Sequence, residues 1–120
     1  MKIMVVDDSK AMRMIVNRTL RQAGFGNCEI VEANNGKEAL EAILASPPDL
    51  VLTDWAMPEM NGLELAKALR ERNVAVKLGF VTSQGTAEMQ EEAKNAGALF
   101  VLTKPFTADT FKATLDSVLK

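Results

Sequence analysis

Asp7 and Asp8 stand directly after the apolar run Ile3-Met4-Val5-Val6, and Asp54 closes Leu50-Val51-Leu52-Thr53. Thr82-Ser83 and Thr103-Lys104 end two further runs of the same kind. Carboxylates gathered in one place repel: two unit charges ~4 Å apart cost about 4 kcal/mol at an effective dielectric of 20. Raised pKa values, a lysine or a metal must offset that cost. Oxygen-only donors suit Mg²⁺, Ca²⁺ or Mn²⁺ rather than zinc. Lys104 offers a mobile point charge for an anion, and Thr82 a hydroxyl donor. A cation, a lysine, a hydroxyl and a surplus carboxylate are the parts of a phosphoryl-transfer site, in which one carboxylate can act as nucleophile and form an aspartyl phosphate.

These residues meet only if the elements before them lie side by side. Ile3 to Val6 reads as a buried strand. Met12, Ile15, Val16, Leu20 and Ala23 then share one helix face, with Ser9 as N-cap and Gly24 as stop. Cys28 to Ala33 is a second strand, and Asn34-Asn35-Gly36 is turn chemistry. Ala39, Leu40, Ile43 and Leu44 line a second helix ended by Pro47-Pro48; Leu50 to Leu52 is a third strand, and Leu65, Ala66 and Leu69 mark a third helix. Val76 to Val81 is a fourth strand. Ala87, Met89, Ala93 and Ala96 give a fourth helix with a weak inner face, ended by Gly97. Leu99 to Leu102 is a fifth strand, and Phe111, Leu115 and Val118 build a last helix. Strands apolar throughout and joined by helices imply a parallel sheet covered on both faces. The expected fold is α/β, a doubly wound five-stranded parallel sheet of flavodoxin-like order 2-1-3-4-5 with five helices. In that order the C-terminal ends of strands one and three adjoin at the reversal, where such sheets bind ligands, so Asp7, Asp8 and Asp54 converge there.

Composition excludes several other chemistries. The 120 residues predict one domain, 1–120, large enough for its own core. A 48% apolar and 25% charged chain is globular rather than disordered. The net charge of −2 leaves no electrostatic footprint for nucleic acid or an anionic membrane. The absence of histidine removes Ser-His and Cys-His catalysis, and the lone Cys28 removes internal disulfides and cysteine zinc sites. The first apolar run is too short for a signal peptide or a span of about 20 residues, which predicts a cytoplasmic protein. Gly36-Lys37 is not a phosphate-binding loop, since no glycine sits five positions earlier and Glu38 replaces Ser or Thr. The methionines and Trp55 read as packing residues.

Val5-Val6-Asp7-Asp8-Ser9, Asp54-Trp55-Ala56-Met57-Pro58-Glu59-Met60-Asn61-Gly62, Val81-Thr82-Ser83 and Lys104-Pro105-Phe106, in that order and spacing, resemble the response-regulator receiver domain, most closely its single-domain chemotaxis type, the CheY-like proteins. The resemblance covers essentially the whole chain. It implies a stand-alone receiver of a two-component system with no output domain. Asp54 is then the phosphoacceptor, receiving its phosphoryl group from a histidine kinase or histidine phosphotransfer protein. Asp8, Asp54 and the backbone carbonyl of Ala56 ligate Mg²⁺, with Asp7 acting directly or through water. Thr82 hydrogen-bonds the phosphoryl oxygen, Lys104 ion-pairs with it, and the Lys104-Pro105 bond is cis. Output passes to a downstream target protein, in chemotaxis or a phosphorelay, from a monomer in the cytoplasm without nucleic acid or membrane contact.

Two departures stand out. The usual switch position three residues before the lysine, normally aromatic, is Val101, and Phe100 beside it must face the other side of its strand. Ala56 and Gln84 occupy the positions two residues past Asp54 and Thr82 that tune phosphate lifetime in the family. The alternative is a Mg²⁺-dependent phosphohydrolase using an aspartyl phosphate. Such an enzyme wants an acid/base carboxylate where this chain has Ala56. The fourth helix, fifth strand and last helix are the expected output surface, with Gln90, Lys94 and Lys112 exposed on it.

Overall fold

Strand β1 (Lys2–Val6) and strand β3 (Leu50–Thr53) are buried almost throughout, because consecutive aliphatic side chains leave neither face free for water. The computed structural model describes residues 1–83, 85–104 and 106–119. β2 (Glu29–Ala33), β4 (Lys77–Thr82) and β5 (Val101–Thr103) complete a parallel sheet of order β2-β1-β3-β4-β5. The helices are α1 (Lys10–Leu20), α2 (Gly36–Ala45), α3 (Gly62–Glu71), α4 (Ala87–Asn95) and α5 (Ala108–Leu119). This is the expected doubly wound arrangement. No helix among the described residues is long and apolar enough to cross a membrane.

The two-residue period of the strands sorts the core into two layers. Met4, Val6, Val51, Leu78 and Phe80 face Ile43 of α2, Leu65 and Leu69 of α3, and Ala93 of α4. Ile3, Val5, Leu50, Leu52 and Val81 face Val16 and Leu20 of α1 and Phe111 and Leu115 of α5. Burying one such Leu, Ile or Phe side chain stabilises the fold by about 1.5–3 kcal/mol. Gly79 lies within β4 for a steric reason: a Cβ there would sit 2.1 Å from the ring of Phe100. Phe100 joins the α1/α5 layer while Val101 joins the other, as strand alternation requires.

Local signals place the helix ends. Ser9 Oγ accepts the Met12 N–H at 3.3 Å, and Asn35 Oδ1 accepts the Glu38 N–H at 2.9 Å. Asn61 and Glu64 form a reciprocal capping box at the start of α3. Beyond α1 the chain continues through a π-helical turn, Arg21–Phe25, and Gly24 stops it at φ +98°.

Several boundaries and faces differ from the sequence reading. β2 starts at Glu29, since the Cys28 N–H bonds the Phe25 carbonyl in a turn. β4 is shifted by one residue, to Lys77–Thr82. β5 is shorter than Leu99 to Leu102; Leu99 is 50% exposed, although its N–H still bonds Leu78. Leu44 and Ala87 face solvent rather than the core. On α1, Ile15 is exposed, and the inward face runs through Arg13, Val16 and Leu20 instead.

Candidate functional site

Register brings the acids together. Val6 is paired with Thr53 across β1 and β3, so the residues that follow, Asp7 and Asp54, emerge side by side. The Asp54 N–H bonds the Val6 carbonyl at 2.9 Å, and the Asp7 N–H bonds the Ala33 carbonyl at 3.2 Å. Carboxylate oxygens of Asp7, Asp8 and Asp54 all lie within 4.8 Å of one another. Asp7 is buried, Asp54 half-buried and Asp8 exposed, so the cluster opens to solvent on one side.

Lys104 reaches this cluster from two strands away. Adjacent strands lie about 4.8 Å apart, so β5 and β3 are separated by roughly 10 Å, a gap that the lysine stem and the Asp54 side chain close from its two sides. Its Nζ stands 3.6 Å from Asp7 Oδ2 and 3.6 Å from Asp54 Oδ2. The other oxygens of these acids accept backbone donors: Asp7 Oδ1 takes the Ser9 N–H at 2.9 Å and Asp54 Oδ1 the Trp55 N–H at 2.7 Å. Burial pushes the Asp7 carboxyl above its ordinary value. The Asp54 and Asp8 charges push the same way, while the Ser9 N–H and Lys104 oppose them.

The loop after Asp54 is held tightly against its strand. The Gly62 N–H bonds the Trp55 carbonyl at 2.8 Å, and a Cβ on Gly62 would lie 2.2 Å from the Asp54 carbonyl oxygen. Only glycine permits that approach. Trp55 is half-buried against Phe80, ring centroids 4.8 Å apart, which makes it a packing residue. Oxygen donors clustered beside an ammonium can hold one divalent cation and balance an added anion; the donor chemistry fits a hard ion such as Mg²⁺.

The family model described as the response regulator receiver domain matches residues 3–116. The chain belongs to the response-regulator receiver family. This receiver is 39% identical to the chemotaxis protein CheY-3 of Vibrio cholerae, over all of this chain and 92% of that protein. It is 40% identical to the chemotaxis protein CheY1 of Helicobacter pylori, over 99% of this chain and 97% of that one. The solved structure of Vibrio cholerae CheY4 superposes with a TM-score of 0.85 at 34% identity, covering 98% and 97% of the two chains. A receiver is a phosphoaccepting switch of two-component signalling, partnered by a histidine kinase or phosphotransferase and a downstream effector, rather than an enzyme turning over an external substrate.

The receiver thus gathers Asp7, Asp8, Asp54 and Lys104. Thr82 is buried at the end of β4, and its carbonyl accepts the Lys104 N–H at 2.8 Å, which ties the two positions through the backbone. Ala56 is exposed in the loop two residues past Asp54. Val101 is half-buried and paired with Phe80. Gln84 and Pro105, and with it the Lys104-Pro105 bond, lie outside the described residues. Sequence reasoning missed Arg13. Its guanidinium donates from Nη1 to the Asp7 carbonyl at 2.6 Å and from Nε to Glu32 Oε1 at 2.7 Å. The signal was present: positions 13, 16, 20 and 23 share one helical face, but the charge of Arg13 masked its inward place.

Proposed function

We propose that Asp54 is the phosphoacceptor of this receiver and that Asp7, Asp8 and Asp54 hold Mg²⁺ with the Ala56 carbonyl. The observation that carries this reading is the meeting of three carboxylates with the Lys104 ammonium 3.6 Å from two of them. Asp54 is half-buried beside the exposed Asp8, so a partner's phosphohistidine can approach it from solvent. An Asp54 carboxylate oxygen bonds to phosphorus as the P–N bond breaks and the imidazole departs with the electron pair. Bound Mg²⁺ supplies charge neutralisation at the phosphoryl oxygens. Lys104 ion-pairs with the new phosphoryl group, and the Thr82 hydroxyl donates to one of its oxygens.

Phosphorylation adds about −1.5 to −2 charge at pH 7. Drawing Thr82 toward that charge moves the chain leading into α4, whose inner face carries little beyond Ala93. Val101, in place of the usual aromatic residue, gives this movement no aromatic rotamer to couple to, and Ala56 and Gln84 set the lifetime of the acyl phosphate. The surface of α4, β5 and α5, with Gln90, Lys94 and Lys112 exposed, meets the downstream protein. The named chemotaxis relatives favour that process, served by a monomer in the cytoplasm that receives its phosphoryl group from a histidine kinase or phosphotransfer protein.

The test is incubation with Mg²⁺ and a small acyl phosphate, read by intact mass. One phosphoryl adduct is expected, absent in Asp54→Asn and absent when Mg²⁺ is chelated. An adduct that persists in Asp54→Asn overturns the assignment. Turnover of external phosphate esters would instead favour a hydrolase, which Ala56, lacking any acid/base group, does not support.

A further inference from the structure

We infer that Arg13 is a positioning residue for cation binding: it fixes the Asp7–Asp8 peptide and thereby the direction in which Asp8 presents its carboxylate. The inference rests on the reading of the acidic cluster as a cation site. Asp7 is anchored at its N–H by Ala33 and at Oδ1 by the Ser9 N–H. Among the described residues no hydrogen bond holds the exposed Asp8 carboxylate. Its orientation therefore comes from the backbone before it. The carbonyl of the Asp7–Asp8 peptide accepts Arg13 Nη1 at 2.6 Å. Holding that oxygen restrains Asp7 ψ and Asp8 φ together, because the peptide unit is planar.

Arg13 is itself held from two directions. Its stem is buried in α1, and its Nε donates to Glu32 Oε1 at 2.7 Å, on the strand flanking β1. One rigid, planar guanidinium therefore joins α1, β2 and the turn that carries the acids. An ammonium presents no such two-armed planar fork. The charge of Arg13 is directed at Glu32: among the described residues the ion pairs of Asp7 and Asp54 are with Lys104. The path from Arg13 to the cation site runs through the backbone.

The sign of one measurement separates this role from others. Deleting a positive charge near a cation site should tighten cation binding if only the field matters. It should weaken binding if the arginine holds a ligand in place. The test titrates Mg²⁺ into the wild-type protein and the Arg13→Ala, Arg13→Lys and Glu32→Gln variants. The readout is emission of the sole tryptophan, Trp55, whose N–H bonds Asp54. Thermal melts in chelator run alongside. Outer partners of metal ligands typically change affinity 10- to 100-fold, so about tenfold weaker binding is expected in both Arg13 variants. Glu32→Gln should give a smaller loss in the same direction. It keeps the test decisive should an Arg13 variant fail to fold. Lys67→Ala, at an exposed position of α3, should bind Mg²⁺ like the wild type.

Tighter binding in Arg13→Ala with Arg13→Lys unchanged overturns the proposal in favour of a simple field effect. A lowered melting temperature with unchanged Mg²⁺ affinity in the variants overturns it in favour of a purely structural arginine. A wild-type protein that does not bind Mg²⁺ overturns the cation-site reading itself, a result distinct from both.

Discussion

Asp7 carries the electrostatic cost of the site. Its carboxyl is raised above the ordinary 3.8 chiefly by burial, and the neighbouring acids add to that. A raised folded-state value means the group favours folding while protonated, below 3.8, and that this contribution is lost as pH rises through the folded value. In metal-free protein, Asp7→Asn should therefore be more stable than wild type at neutral pH. The advantage should shrink on acidification and vanish below 3.8, read as urea midpoints across a pH series with chelator present. Gly79 shows a different constraint, one of volume. The ring of Phe100 occupies the place of a Cβ, so Gly79→Ala should cost about 1–3 kcal/mol in chemical denaturation. Phe100→Ala should be less costly in the Gly79→Ala background than in wild type, a coupling that a double-mutant cycle detects. Neither effect was visible in the sequence, where Gly79 interrupts an apolar run and Asp7 is indistinguishable from Asp8.

Among the five α-helices, α4 buries the fewest side chains. Its inward side chains are small, with Ala93 buried and Met89 only half-buried, while Glu88, Glu91 and Glu92 face water. It is fastened at its C-terminal end. Arg70 of α3 donates from Nη1 to the Asn95 carbonyl, and the Ala98 N–H bonds Ala93 at 2.9 Å. Arg70→Ala should remove about 1 kcal/mol of local stability. Amide exchange in α4 should quicken while α3 stays protected. The weakness of this helix was readable from spacing, because only alanines and one methionine occupy its inner positions. The fastening was not, since Arg70 and Asn95 are 25 residues apart and look like ordinary surface polar groups. On α1 hydrophobicity alone points Ile15 inward, yet the buried stripe belongs to Arg13, because Glu32 and the Asp7 carbonyl satisfy its donors.

For the whole molecule, a cation bound to the folded state alone adds stability by mass action, about 2.7 kcal/mol at a free concentration 100 times Kd. Mg²⁺ should therefore raise the melting temperature at neutral pH. The rise should fade in acid as protons compete for Asp7, and be absent in Asp54→Asn, as calorimetry with and without chelator would report. Phosphorylation draws on the same design. Moving a two-state equilibrium from 1:99 to 99:1 takes about 5.5 kcal/mol of differential stabilisation. Hydrogen bonds to charged groups contribute about 1.5–3 kcal/mol each, so the proposed contacts from Lys104 and Thr82 to a phosphoryl group would be of the right size to shift such an equilibrium.

Local chemistry determined the element types, their order, the helix caps at Ser9 and Asn35, the stops at Gly24 and Gly97, and the placement of Asp7, Asp8, Asp54 and Lys104 just past strands. Those signals act over a few residues, through side-chain period and backbone preference, and so survive in a one-dimensional string. Tertiary structure decided the rest: the pairing of Val6 with Thr53 that sets Asp7 beside Asp54, the reach of Lys104 across two strands, and the inward turn of Arg13. Each of these depends on long-range register or on partners from distant segments, and a charged or polar residue declares its partner only when the chain has brought that partner within hydrogen-bonding distance.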